Sequence, residues 1–266
     1  MSDILISVGC SSLLALLAIY KKALTRGGVG LAWLCSIIIT YCGGLGSFAI
    51  LAATFVFTMI AGKISGKKKE IAAIEKRVHA KSGKRDAMQI FCNVGLGTIV
   101  LLVGKLMENS SALLVYGAIM AASSADSMAS ELGILSTKTP VDICTLRKTQ
   151  RGLSGGVTVL GLMASLLGAF LIALTYLVCT GGGLFPLIFI TIAGFLGALI
   201  DSVLGSLLQA KYRCQVCGIV TEKKTHCDAA TTPVKGFSVI TNDIVNLLNN
   251  LTVAVSSIGV LYFLAR

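Results

Sequence analysis

The stretch Ala112–Leu135, ALLVYGAIMAASSADSMASELGIL, decides the fold. It is long enough to cross a bilayer as a helix, which takes about 20 predominantly apolar residues. It contains no Lys or Arg, yet it carries Asp126 and Glu131. A carboxylate near the bilayer centre costs roughly 2.5–3.5 kcal/mol on insertion scales, so such groups face a bundle interior or a wet cavity. The stretch therefore reads as a transmembrane helix surrounded by others.

Seven further apolar runs flank it: Ile4–Tyr20, Val29–Cys42, Ser47–Gly62, Met88–Gly104, Leu153–Val178, Leu184–Leu208 and Ile244–Leu264. The second and third are short, and GGLG at Gly43–Gly46 makes a tight turn between them. None alternates as barrel strands do, and in hydrocarbon only helices or closed barrels satisfy their own backbone. The expected fold class is all-α, a polytopic transmembrane helix bundle of about eight spans in a single domain, residues 1–266. Residues 209–241 form a Cys/His-containing connection within it. Composition agrees: 55% of residues are hydrophobic and 13% charged, with a mean hydropathy of +0.86. Soluble domains carry about 25% charged residues, which excludes a soluble enzyme, a disordered chain and a disulfide-framed module.

Charge sets the expected orientation. The connections after the first, third, fifth and seventh runs hold 3, 9, 4 and 5 basic residues, 21 of the 23 in the chain; only Lys105 and Arg266 lie elsewhere. Basic loops stay cytoplasmic, so both termini are expected on the lumenal or exterior side, in an endomembrane. The first run has an acidic start (Met1, Ser2, Asp3) and is followed by Lys21 and Lys22, so it reads as a retained span, not a signal peptide. The net charge of +11 fits attraction to anionic headgroups or the handling of a phosphorylated substrate. No motif supports nucleic-acid binding.

An internal parallel repeat is suggested by Asp86, Gln89, Asn93 and Gly97 before and within the fourth run. Asp243, Asn246 and Asn250 echo them around the start of the eighth. Each set occupies one helix face. Gly27-Gly28-Val29 and Gly155-Gly156-Val157 echo each other at the second and sixth runs.

The candidate site follows from polar groups in apolar surroundings. Ser123, Asp126, Ser127 and Ser130 share a side of the fifth helix, with Glu131 beside Ser127. Gly194, Gly197, Asp201, Gly205 and Gln209 form a stripe on the seventh that lets another helix approach. Asp126 and Asp201 lie about 13 and 10 Å from the cytoplasmic ends of their runs at the helical rise. The connection bearing Lys138, Arg147, Lys148 and Arg151 leads into Leu153-Ser154-Gly155-Gly156. Read as a helix start, that sequence offers backbone N–H groups to an anion. The carboxylates suit a metal, ion or ligand role; the alternative is that they pair with Lys or Arg and hold the bundle together. Cys214-Gln215-Val216-Cys217 is the usual first half of a zinc site, with His226 and Cys227 as unorthodox partners. His79 lies in a Lys-rich stretch and reads as solvated.

GGVGLAW, the Gly43–Gly46 turn, GKRDAMQIFCNVG, AASSADSMASELGILS, LRKTQRGLSGGVTVLG, GALIDSVLGSLLQ and NDIVNLLNN together resemble an integral-membrane family. That family includes the transmembrane protein 19 group and plant phytyl-phosphate kinase. The CQVCG loop resembles the transmembrane protein 19 branch. The resemblance implies a kinase that phosphorylates an isoprenoid monophosphate, with CTP or ATP as co-substrate. On that reading Asp126, Glu131 and Asp201 hold Mg²⁺, with Asp243 completing the catalytic set. Ser127, Arg147, Lys148, Arg151, Ser154, Gly155, Gly156, Asn242, Asn246 and Asn250 bind substrates. Expected partners are membrane lipid and the isoprenoid phosphate. A transporter or channel with an intramembrane carboxylate site remains the alternative.

Overall fold

The computed structural model describes residues 2–67, 73–74, 77–80 and 83–266. Seven helices among the described residues carry the eight apolar runs. α1 is Ser2–Tyr20. α2, Arg26–Gly66, is interrupted at Gly44, whose φ of 75° and ψ of −171° are not helical. Ser47 Oγ donates to Ile39 O at 2.8 Å across this point, whereas eight residues of continuous helix span about 12 Å. Ala32 and Phe55 pack in one cluster, and Ile39 and Ile50 in another. The chain therefore reverses at GGLG, and α2 is a hairpin of limbs 26–43 and 45–66. Tyr116, fully buried, donates its hydroxyl to Ser47 O at 3.0 Å, supplying a partner for a carbonyl near the turn.

α3 runs Ala87–Leu106. Asp86 caps it: its carboxylate accepts from Gln89 N at 2.9 Å, while Gln89 Oε1 accepts from Asp86 N at 3.1 Å. Phe91–Gly95 widens into a π-turn. Backbone carbonyls there take side chains from other helices: Cys92 O accepts from Asn250 Nδ2 at 2.8 Å and Asn93 O from Ser123 Oγ at 3.0 Å. The remaining helices are α4 (Ala112–Gly133), α5 (Val159–Thr180), α6 (Leu184–Leu207) and α7 (Asn242–Leu264).

Six of the helices are long and apolar enough to cross a membrane, α1 being the shorter one. The chain is a multi-pass integral membrane protein. α4 is its centre: 72% of its most apolar stretch is buried, against 28–39% in the other five. Small residues make that possible, since a Cβ added at Gly194 of α6 would lie 2.7 Å from Ala121 Cβ of α4. Leu16, Leu102, Leu166, Leu196 and Val255 remain exposed on the outside of the bundle, as lipid-facing residues do.

The two ends of the bundle differ. At one, the 43–46 turn approaches the end of α5, with an added Gly46 Cβ 3.0 Å from Thr180 Cγ2, and Lys105 Nζ lies 5.0 Å from the centre of the Tyr41 ring. At the other, the four basic connections interlock through hydrogen bonds. Thr25 N donates to Arg85 O at 3.0 Å and Glu222 N to Val78 O at 2.9 Å. Gln150 Nε2 donates to Val220 O at 2.9 Å.

Two small sheets, not anticipated from sequence, lie at this polar end. β1 (Val141–Asp142) pairs antiparallel with β2 (Gly156–Val157). In the connection 209–241, β3 (Lys211–Cys214), β4 (Val220–Thr221), β5 (Thr225–His226) and β6 (Ala229–Lys235) form a sheet of order β4-β3-β6-β5. The sixth run also needs correcting. Its helix begins at Val159, capped by Thr158, whose Oγ1 accepts from Gly161 N at 3.0 Å. Ser154–Gly156 is a turn before it, because Gly155 adopts φ of +85° and Gly156 belongs to β2.

Candidate functional site

Two cavities border α4, one lined by Asp126 and the other by its neighbour Ser127. The first encloses about 100 Å³ and is polar. Asp126, Asp201, Arg151, Ser154, Gly155, Gly156 and Asn242 all line it, together with Thr158 and His79. Here the sequence-nominated groups from four separate segments converge. Asp126 and Asp201 line it as neighbouring carboxyl groups. Asp201 is buried, and its Oδ2 has no partner among the described residues. Two neighbouring carboxyls are stabilised by a proton or a cation between them, and a divalent cation is one group that such a pair can hold.

The glycine turn packs directly on α6. A Cβ at Gly155 would lie 2.6 Å from Ser206 Cα, and its φ of +85° independently requires glycine. This close approach sets the backbone of residues 154–156 in the wall of the cavity that Asp201 also lines.

The second cavity, about 70 Å³, is lined mainly by apolar side chains of α1 and the α2 hairpin, including Leu14, Trp33 and Phe55. Its polar members are Ser11, Ser36, Thr54 and Thr58 among those apolar side chains, Arg85, Gln89 and Asn93 around the start of α3, and Ser123 and Ser127 of α4. Burial lowers the Arg85 guanidinium from its usual value, while Glu131 and Asp126 raise it. It stays cationic, since Arg is effectively always protonated in proteins.

The other nominated residues are placed elsewhere. Glu131 does not join the Asp pair: Oε2 accepts from Ser65 Oγ at 2.6 Å, and the carboxylate lies against Gly62. Arg147 and Lys148 stand exposed on the loop between β1 and β2 and line neither cavity. Asp243 and Asn246 are buried in the first turns of α7, outside both linings. Asn250 joins α7 to α3 and α4: its Nδ2 donates to Cys92 O, and Ser123 Oγ lies 3.2 Å from its Oδ1.

A layer of charge beneath the polar cavity escaped the sequence reading. Lys211 is only 4% exposed and donates from Nζ to Ser154 O at 2.7 Å. Burial lowers its ammonium, as does Lys235, while Asp142 and Glu222 raise it. Glu222, 8% exposed, accepts a short hydrogen bond from Ser154 Oγ. His79 is not simply solvated: Nδ1 lies 3.4 Å from Glu222 Oε2 and the ring lines the cavity. Asp142 receives Ser206 Oγ at 2.7 Å and Thr145 N at 2.9 Å. The only sequence signal for these groups was polar character in a basic connection, which is ordinary for surface residues.

At the far tip of the β3–β6 sheet, Cys214, Cys217, His226 and Cys227 bring their donor atoms within 4.8 Å of one another. Among the described residues this is the one group of three or more Cys, His, Asp or Glu so arranged.

Residues 9–254 match the model of a family described as integral membrane protein DUF92. Protein PGR of Arabidopsis thaliana is 27% identical, over 97% of this chain and 96% of its own length. An uncharacterized membrane protein of Synechocystis is 31% identical, over 83% of this chain and 86% of its own. One of Methanocaldococcus jannaschii is 28% identical, over 77% and 83%. No solved structure matches the chain.

Proposed function

The chain belongs to the DUF92 integral membrane family, and within that family we propose that it is an isoprenoid-phosphate kinase. The observation that carries this reading is a mainly apolar and a more polar cavity bordering α4 at neighbouring residues, Ser127 lining the first and Asp126 the second. A prenyl monophosphate has the matching two-part chemistry. Its chain would lie against Leu14, Trp33 and Phe55, with its phosphate toward Arg85 and Ser127. A nucleoside triphosphate, CTP or ATP, would enter the polar cavity with its phosphates against Ser154–Gly156 and Arg151.

An oxygen of the monophosphate attacks the γ-phosphorus, and the bond from that phosphorus to the β-phosphate oxygen breaks. The products are the prenyl diphosphate and a nucleoside diphosphate. The acceptor oxygen is already anionic, so the step requires no general base. Phosphoryl transfer depends chiefly on positioning and charge neutralisation. Asp126 and Asp201 are the residues that would hold Mg²⁺, which would neutralise charge on the nucleotide phosphates. Glu131, directed to Ser65, acts through Arg85. Lys211 and Glu222 fix the Ser154 turn from below.

Orientation belongs to the same reading. The end carrying the four basic connections faces the cytosol, where the nucleotide is, and the membrane is an endomembrane. At the opposite end the tightly packed cluster of Ile39, Ile50, Leu101, Leu114 and Tyr116 argues against a polar path through the bundle, and so against transport.

The test is purified protein in detergent with Mg²⁺, CTP or ATP and a panel of prenyl monophosphates, read by mass spectrometry for the diphosphate. Asp126→Asn and Asp201→Asn should each lower turnover by about 100-fold or more, the scale for losing a preorganised electrostatic contact. Folded variants with full activity would refute the site. No product from any pair with folded wild-type protein would favour transport.

A further inference from the structure

The sheet formed by residues 211–235 has almost no hydrophobic core. Its buried side chains are Lys211, Tyr212, Cys214, Thr221 and Glu222, and of these only Tyr212 and Cys214 are apolar. Its strands run from two to seven residues, and such small units normally need a disulfide, a metal or a partner to hold together. Val216, Val234, Phe237 and Val239 are all exposed, so apolar packing does not supply the missing stability.

What the sheet has instead is a convergence of soft donors at one edge. Cys214 ends β3 and Cys217 lies in the turn that follows. That turn is closed by Gly218 N donating to Cys214 O at 3.0 Å, with Gly218 at φ of +72°. His226 ends β5, and Cys227 and Asp228 turn back toward β6 with φ of +52° and +56°. The left-handed pair explains how two adjacent residues aim at one point, which sequence spacing alone makes improbable. A non-glycine residue in that region is uncommon, and costs of order 1–3 kcal/mol are tolerated where something compensates.

The distances identify the compensation. With zinc–sulfur bonds of about 2.3 Å and zinc–nitrogen bonds of about 2.0–2.1 Å, a tetrahedron has S···S edges of about 3.8 Å and S···N edges of about 3.5 Å. Cys217 Sγ lies 3.8 Å from Cys227 Sγ and 3.5 Å from His226 Nδ1. The Cys227 Sγ–His226 Nδ1 edge is shorter, 3.1 Å, as adjacency in the chain constrains it. Cys214 Sγ supplies the fourth corner, all four donors falling within 4.8 Å. A disulfide does not account for the cluster: the Cys217–Cys227 separation of 3.8 Å far exceeds the S–S bond of about 2.05 Å.

We propose that Cys214, Cys217, His226 and Cys227 bind one structural Zn²⁺ ion. Four protein ligands close the coordination shell, so the ion carries no open position for chemistry. Its role is to hold β3 and β4 in place. These strands present Lys211 to Ser154 O and lead into Glu222, which receives Ser154 Oγ. Thr221 Oγ1 also donates to Val78 O at 2.8 Å, tying down the segment that carries His79. Zinc thus orders the floor of the polar cavity from outside it.

The test is metal analysis of the full-length protein purified in detergent without chelators, alongside Cys217→Ser and Cys227→Ser. Roughly one zinc per chain is expected in the wild type, falling several-fold in each variant. Exchange for Co²⁺ should give the visible absorption of a tetrahedral thiolate site, a readout that needs no variant to fold. Wild-type protein that elutes as a folded species with negligible zinc, or with iron in its place, would overturn the proposal. So would zinc content unchanged in both variants, or a mass showing a Cys217–Cys227 disulfide. Metal content is independent of phosphoryl transfer, so a failed kinase assay leaves this result standing.

Discussion

Asp142 shows how a single carboxylate in a connection is made structural. Burial alone would raise its pKa, but donors from Thr145 N, Ser206 Oγ, Thr145 Oγ1 and Cys144 N bring it down to about 2 from an ordinary 3.8. A depressed folded pKa means that the ionised form stabilises the fold. That contribution is complete above the unfolded value near 3.8 and is lost as pH falls through about 2. Asp142→Asn should therefore lower stability at pH 7 by about 2 kcal/mol, the scale of a hydrogen bond to a charged group. Thermal unfolding in detergent should show the gap to wild type closing between about pH 4 and pH 2. A gap of constant size across that range would show that the charge is immaterial. Residues of this kind were not legible in the sequence. Asp126 and Asp201 stood out because a carboxylate in an apolar run is expensive. Asp142, Lys211, Glu222 and His79 lie among other polar residues, and only the tertiary contact of separate connections makes them special.

Elements were read unevenly, for a similar reason. GGLG was legible as a reversal because glycine pairs tolerate conformations that other residues avoid, and Gly44 adopts one, φ 75° with ψ −171°. That region is essentially restricted to glycine, with a cost of about 1–3 kcal/mol for another residue. Gly44→Ala should lower the unfolding midpoint accordingly. Gly30→Ala is the control within the same helix, since an added Cβ there meets nothing within 4 Å and Ala favours helix by up to about 1 kcal/mol over Gly. Equal effects from the two substitutions would show that the reversal at Gly44 is not what constrains it. By contrast, Ser154–Gly156 misled as a helix start, because its two glycines serve a turn pressed against Ser206 and the helix waits for its Thr158 cap. The π-turn at Phe91–Gly95 left no mark in the residue pattern. It depends on side chains from α4 and α7 finding its carbonyls, and those partners lie 30 and 158 residues away along the chain.

At the scale of the whole molecule, the alternation of charge along the chain and the geometry of the bundle agree. The connections holding 21 of 23 basic residues interlock at one end, and Lys105 lies at the other beside Tyr41. The alternation was legible because each basic connection is separated from the next by two apolar runs. The interlocking was not, since hydrogen bonds such as Gln150 to Val220 join segments with no shared pattern. If the basic end is cytosolic, as the distribution of Lys and Arg implies, an epitope inserted after the exposed Lys138 should react once the plasma membrane alone is permeabilised. An epitope after Arg266 should react only when the internal membrane is also opened. The reverse pattern would invert the protein and remove the proposed nucleotide cavity from the cytosol. Reactivity of both epitopes at the first step would put the two positions on one side, which an odd number of crossings between them forbids. The three helices α5, α6 and α7 lie between those epitopes, so the experiment tests the span count and the orientation together.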